Sequence, residues 1–146
     1  MSEPYFNYRF GLSEIVPSGN NNSGPMARAF YKVVHQALQD VNKLGVFPTK
    51  QPVLLVILQF FAEQKEYEKR DIDNMCKTML AALKNILYED DSQVKTIVVS
   101  KQLDKRIPAN FVYVGTKIVS TSDDTGMVNA SKRDALLLYK GAPQPS

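Results

Sequence analysis

Val53-Leu54-Leu55-Val56-Ile57-Leu58-Gln59-Phe60 is followed by a charged connector, Glu63 to Arg70, and then by Asp71-Ile72-Asp73-Asn74-Met75-Cys76-Lys77. The first segment is a continuous apolar run bounded by Pro52 and by charge. Such a run reads as a buried strand. Beyond the connector, Ile72, Met75, Cys76, Met79, Leu80, Leu83, Ile86 and Leu87 recur at three- and four-residue spacing. That stripe predicts a helix from Ile72 to Leu87, with Asp73, Asn74, Lys77 and Lys84 pointing away from it. A buried strand feeding an amphipathic helix is the unit of a mixed α/β domain.

Working outward, Tyr5 to Phe10 is aromatic and half-alternating, a first strand. Pro17 to Pro25 is a polar, turn-rich loop. Phe30, Val33, Val34, Ala37, Leu38, Val41 and Leu44 predict one helix from Met26 to Leu44, with Gly45 as its C-cap. On the C-terminal side, Gln93 to Lys101 and Phe111 to Ser120 read as strands, joined as a hairpin through Leu103 to Asn110 with Pro108 as a breaker. Ser131 to Lys140 reads as a short helix capped by Ser131, and 141–146 as a frayed tail. The expectation is one α/β (α+β) domain over residues 1–140, with a small mixed sheet of about four strands and two main helices.

Composition bounds the function. The chain has 146 residues, an ordinary charged fraction of 23% and a net charge of +3, so wholesale disorder is excluded and a nucleic-acid partner is allowed without being required. The one cysteine, Cys76, rules out an intrachain disulfide framework. The longest apolar run, Val53 to Ala62, is interrupted by Gln59 and is too short to span a bilayer. With no signal-like N-terminal segment, the expectation is a soluble cytoplasmic protein without a membrane partner.

The residues that carry chemistry are Asp71 and Asp73. Carboxylates two apart at the mouth of a helix can point into one space, where they repel. A hard divalent cation relieves that repulsion, and Mg²⁺ takes oxygen ligands while keeping several waters. Lys77, one turn after Asp73, is placed to hold a phosphate or to stabilise charge developing on it. Each residue also has a plain structural reading: Asp71 or Asp73 as a helix cap, Asp90-Asp91 as a polar turn, Lys77 as a solvated helix residue. His35 reads as a surface residue. Phosphate contacts need only basic or amide side chains, and the candidates are Asn20, Lys69, Arg70, Lys95, Lys101, Lys105 and Arg106. Against a strongly basic face, Lys65, Lys69 and Arg70 are mixed with Glu63, Glu66 and Glu68.

The arrangement Asp71-Ile72-Asp73-Asn74, Lys77, the apolar helix, and then Tyr88-Glu89-Asp90-Asp91-Ser92-Gln93-Val94 resembles the signature region of RusA-type Holliday-junction resolvases. The resemblance runs from Arg70 to Lys101, with a fainter echo at Pro17-Ser18 and Asn20. It implies a homodimeric, Mg²⁺-dependent endonuclease, with Mn²⁺ able to substitute, that nicks four-way DNA junctions symmetrically. Carried over by position, it implies Asp71, Asp73, Asp91 and Lys77 as the catalytic set, with Asp90 as a helper at the metal. The alternatives are a noncatalytic DNA-binding protein that kept the fold and a broader flap or branched-DNA nuclease. A helix from Ile72 to Leu87 spans about 24 Å, so Asp71 and Asp73 at its start lie far from Asp91 past its end. A two-fold dimer that sets the start of one helix against the end of its partner would build two composite sites.

Overall fold

The computed structural model describes residues 5–18, 24–122 and 124–141. Asn20 and the tail 142–146 lie outside the described residues. Four strands, β1 (Tyr8–Leu12), β2 (Val53–Phe61), β3 (Val94–Leu103) and β4 (Phe111–Ile118), form one mixed sheet in the order β1-β4-β2-β3. β2 runs parallel to β3 and antiparallel to β4, and β4 runs antiparallel to β1. The helices are α1 (Pro25–Ala37), α2 (Gln64–Lys69), α3 (Ile72–Leu83) and α4 (Gly126–Gly141).

β2 is central, and its alternate residues Val53, Leu55 and Ile57 are buried in the core. Phe30 and Val34 of α1 and Met75, Met79, Ala82 and Leu83 of α3 pack in the same cluster, together with Val112 and Val114 of β4. The expected α+β domain with a four-stranded mixed sheet is therefore the observed one. Gln59, which interrupts the apolar run, is fully buried and satisfied. Its Oε1 accepts from Val16 N (2.8 Å), and its Nε2 donates to the carbonyls of Glu14 (3.0 Å), Phe60 and Phe111 (both 3.2 Å). This one amide ties the segment before Pro17 to the sheet.

Several boundaries differ from the sequence reading. Strands β3 and β4 are not a hairpin, because β2 lies between them and pairs with both. Alternation marks a strand but says nothing of its neighbour. Helix α1 ends at Ala37, and Val41–Leu44 tightens into a 3₁₀ turn closed by Gly45 in the left-handed region (φ 78°). Leu38 and Val41 remain buried through the break, which keeps the apolar period intact. Helix α3 stops at Leu83, since Lys84 is extended and Asn85 is left-handed (φ 68°), a conformation Asn tolerates. The following turn folds back, with Ile86 N and Leu87 N both bonded to Leu83 O, so Leu87 still enters the core and the stripe still looks helical.

The connector Glu63 to Arg70 contains helix α2, held by i,i+4 contacts from Gln64 to Glu68 (2.8 Å) and from Arg70 to Glu66 (2.9 Å). Its Tyr67 ring packs edge-on against Phe61. Helix α4 begins five residues before Ser131, and the capping expected from Ser131 comes from Thr125, whose Oγ1 accepts from Val128 N (3.2 Å). None of its residues is buried, and Leu136, Leu137, Leu138 and Tyr139 are all more than half exposed. No helix among the described residues is long and apolar enough to cross a membrane.

Candidate active site

Asp71 is the extended residue that precedes α3, and Asp73 sits in its first turn. Both are exposed. The two carboxyls share a hydrogen bond, so Asp71 holds its proton above the usual carboxylate range and Asp73 releases its own below it. Desolvation and the Asp73 charge also raise Asp71, while the Lys101 charge opposes them; the Lys77 charge further lowers Asp73. Asn74, buried at the start of α3, donates from Nδ2 to Asp71 Oδ2 (3.2 Å) and orients that carboxyl. The pair thus has the signature of two like charges competing for one proton, the condition that a divalent cation removes.

Beside the pair, an open groove of about 470 Å³ is lined by Ile72, Asp73, Cys76, Lys77, Ile97 and Val99. It lies between α3 and β3, an edge strand of the sheet. Lys77 is exposed there on the turn after Asp73. Burial and the Asp73 charge push the Cys76 thiol up, so it is a neutral wall of this groove.

Asp90 and Asp91 are elsewhere. They form a 3₁₀ turn ahead of β3, in which Asp90 is a cap: its side chain accepts from Ser92 N (3.0 Å) and from the Ser92 hydroxyl, and Lys84 lies 4.0 Å away. Gln93 completes the cap, accepting from Glu89 N and Asp90 N and donating to the carbonyls of Thr49 and Gln51. Asp91 is exposed on this turn. Its neighbour Tyr88 is fully buried, donates to Leu80 O (2.7 Å), and is pushed far above its ordinary range by burial and by the Asp91 charge. Asp73 is in the first turn of α3, whereas Asp91 belongs to the turn that follows the C-terminal end of that helix. Among the described residues no group of three or more His, Cys, Asp or Glu side chains gathers into a cation site.

The basic candidates divide. Lys101 donates to two backbone carbonyls, Tyr67 O (2.8 Å) and Arg70 O (2.9 Å), and lies over the Tyr67 ring. Arg70 is paired with Glu66 and largely buried, and its Nε is buried without a hydrogen-bond partner. Lys95 is paired with Asp124 (3.2 Å) and reaches the carbonyls of Ser120 and Thr121. Lys69 and Lys105 are exposed, as is Arg106, which pairs with Asp104 (2.6 Å). All three lie at the end of the sheet where Asp71 emerges. His35 is exposed, as read, and its Nε2 is 3.2 Å from Ala82 O, linking α1 to α3. Asn74 and Gln93 are the supporting residues that sequence reasoning missed. The Asp90-to-Gln93 spacing of a capping box was the available signal for Gln93; Asn74 stands in the signature segment but was expected to point away from the apolar stripe, whereas it is buried and bonded to Asp71.

No curated protein matches the chain. A family model does: that of Endodeoxyribonuclease RusA, over residues 23–114. The matched segment is well over half of the chain and runs from α1 through the first half of β4, so it contains the Asp71–Asp73 pair, Lys77 and the Asp90–Asp91 turn. On that match, the chain belongs to the RusA family of endodeoxyribonucleases.

Proposed function

We propose that this protein is a cytoplasmic, homodimeric, Mg²⁺-dependent endonuclease that resolves four-way DNA junctions by paired symmetric nicks, with Mn²⁺ able to replace Mg²⁺. The observation that carries the reading is the convergence of Asp71 and Asp73 at the mouth of α3, with Lys77 one turn along. The donor set fits: two hard oxygen ligands with competing charge suit Mg²⁺, which is held by one or two carboxylates and keeps its waters. When bound, the cation lowers the pKa of a water and neutralises charge on the phosphate. Asp71 and Asp73 bind it, Asn74 orients Asp71, and Lys77 holds the scissile phosphate and meets the charge that develops there. Asp91 of the partner subunit completes the site, and Asp90 keeps the turn that presents Asp91. Lys69, Lys105 and Arg106 are the side chains best placed for phosphate contacts, which give affinity with little sequence preference.

The test is incubation of labelled four-way, flap and linear DNA with the protein, with and without Mg²⁺. Symmetric nicking of the four-way junction only with the metal supports the reading, and so does loss of cleavage with retained binding in Asp73→Asn. Full cleavage by Asp73→Asn in Mg²⁺ refutes it. Equal cutting of flap and junction would widen the substrate class to branched DNA.

A further inference from the structure

We propose that Lys101 is a positioning residue for the Asp71–Asp73 pair and not a phosphate contact, and that it acts by pinning the elbow between α2 and α3. The inference rests on the reading of Asp71 as a cation ligand. Arg70 (φ −89°, ψ 139°) and Asp71 (φ −107°, ψ 118°) are both extended, so the helical hydrogen-bond ladder is interrupted between the two helices. Helix α2 has only six residues, too few to be stable alone. Within the elbow itself the Arg70–Glu66 ion pair ties Arg70 back to α2.

Lys101 supplies a second tie, from the sheet. It stands on β3 opposite Gln59 of β2, a rigid position. An ammonium has three donors. Two are bonded, to Tyr67 O inside α2 and to Arg70 O at the elbow itself. Its nitrogen also lies 4.4 Å from the centre of the Tyr67 ring, which is itself anchored on Phe61. Arg70 O belongs to the peptide whose N–H is that of Asp71. Peptide planarity means that fixing this oxygen fixes the plane from which the Asp71 side chain departs. A carboxylate pair can hold a cation only if both members start from defined positions, and Asn74 secures the other end of Asp71. With its ammonium committed to the elbow carbonyls and the ring, Lys101 is poorly placed to grip a phosphate.

Lys101→Met keeps the length and packing of the side chain and removes the ammonium. Three measurements read it. Junction affinity in EDTA should stay within about twofold of the parent, with an unchanged salt slope. Mn²⁺ binding to the DNA-free protein, followed by the paramagnetic resonance of the free ion, should weaken by about ten- to a hundredfold, the usual effect of removing a group that orients a ligand. Cleavage should need correspondingly more Mg²⁺. Lys101→Arg, whose guanidinium can reach both carbonyls, should restore much of the Mn²⁺ affinity. The proposal is overturned if Lys101→Met binds Mn²⁺ as the parent does, or if it loses junction affinity and its salt slope falls by about one contact. Should the Met variant fail to fold, Lys101→Gln is read by the same three measurements. A parent protein that binds no Mn²⁺ would instead refute the metal-site reading itself.

Discussion

Mixing two inactive chains is the sharpest test of how the site is assembled. Asp73→Asn and Asp91→Asn should each be inactive alone. The distance between these residues follows from the fold. Asp73 lies ten residues before the end of α3 at Leu83, about 15 Å along the helix axis. On the sheet, Lys101, whose ammonium touches the carbonyl before Asp71, lies seven residues along β3 from Val94, about 23 Å. Asp91 precedes Val94. A shared cation needs its ligands about 2 Å from it, so on the proposed reading Asp91 of the partner subunit closes the site. In a two-fold dimer with composite sites, a heterodimer of the variants carries both substitutions in one site and none in the other. Random reassociation makes about half of all dimers heterodimers, so the mixture should recover roughly a quarter of the parental sites. The assay is cleavage of a four-way junction labelled on each strand, after the variants are co-refolded. The expected products are single nicks rather than paired ones. If the mixture stays as inactive as its components while subunit exchange is confirmed by mass, the composite site is refuted.

Lys77→Ala should slow cleavage by on the order of a hundredfold, and its thermal transition should match the parent, because Lys77 is exposed; a parental single-turnover rate would make it a surface residue. Gln59→Leu leaves Val16 N and the carbonyls of Glu14 and Phe111 without their partner. Urea unfolding should show a loss of about 1–3 kcal/mol, and an unchanged midpoint would refute that account. Asp124 is held below the usual carboxylate range chiefly by its bond to Lys132, with Lys95 adding to it. A lowered folded-state pKa means that its contribution is present above the ordinary value and is lost as pH falls through the lowered one. Amide exchange in α4, corrected for intrinsic rates, should therefore accelerate below about pH 4, and equal protection at pH 3 and pH 6 would contradict this.

The core was readable because burial writes itself into spacing. Val53 to Phe60 and the Met75, Met79 and Leu83 stripe are where the pattern placed them. The Asp71–Asp73 pair was readable because a helix start fixes two nearby side chains without help from distant residues. What failed to show was anything set by a neighbour across space. The alternation of β3 and β4 is the same whether or not β2 lies between them. Helix α2 has no apolar stripe, being held by Glu66–Arg70 and by Tyr67 on Phe61, so polarity alone made it look like a connector. The end of α3 was hidden because a turn that folds back buries Leu87 much as a further helical turn would. Lys95 and Lys101 looked like two more surface cations, and only the fold shows that each is engaged by backbone carbonyls distant in the sequence.

The strand order has a consequence for how the chain is made. β1 emerges first, yet its only neighbour among the described strands is β4, and Tyr8 must wait for Thr116. During synthesis β2 and β3 can pair while β4 is still inside the ribosome, leaving one flank of β2 open and β1 without a partner. Unpaired strand edges of that kind are where nascent chains stick to one another. The closing contact spans most of the sequence, and such contacts form late and slowly. Any polypeptide that stops before β4 keeps the helix and carboxylates of the site but lacks the strand that joins its two halves into one sheet.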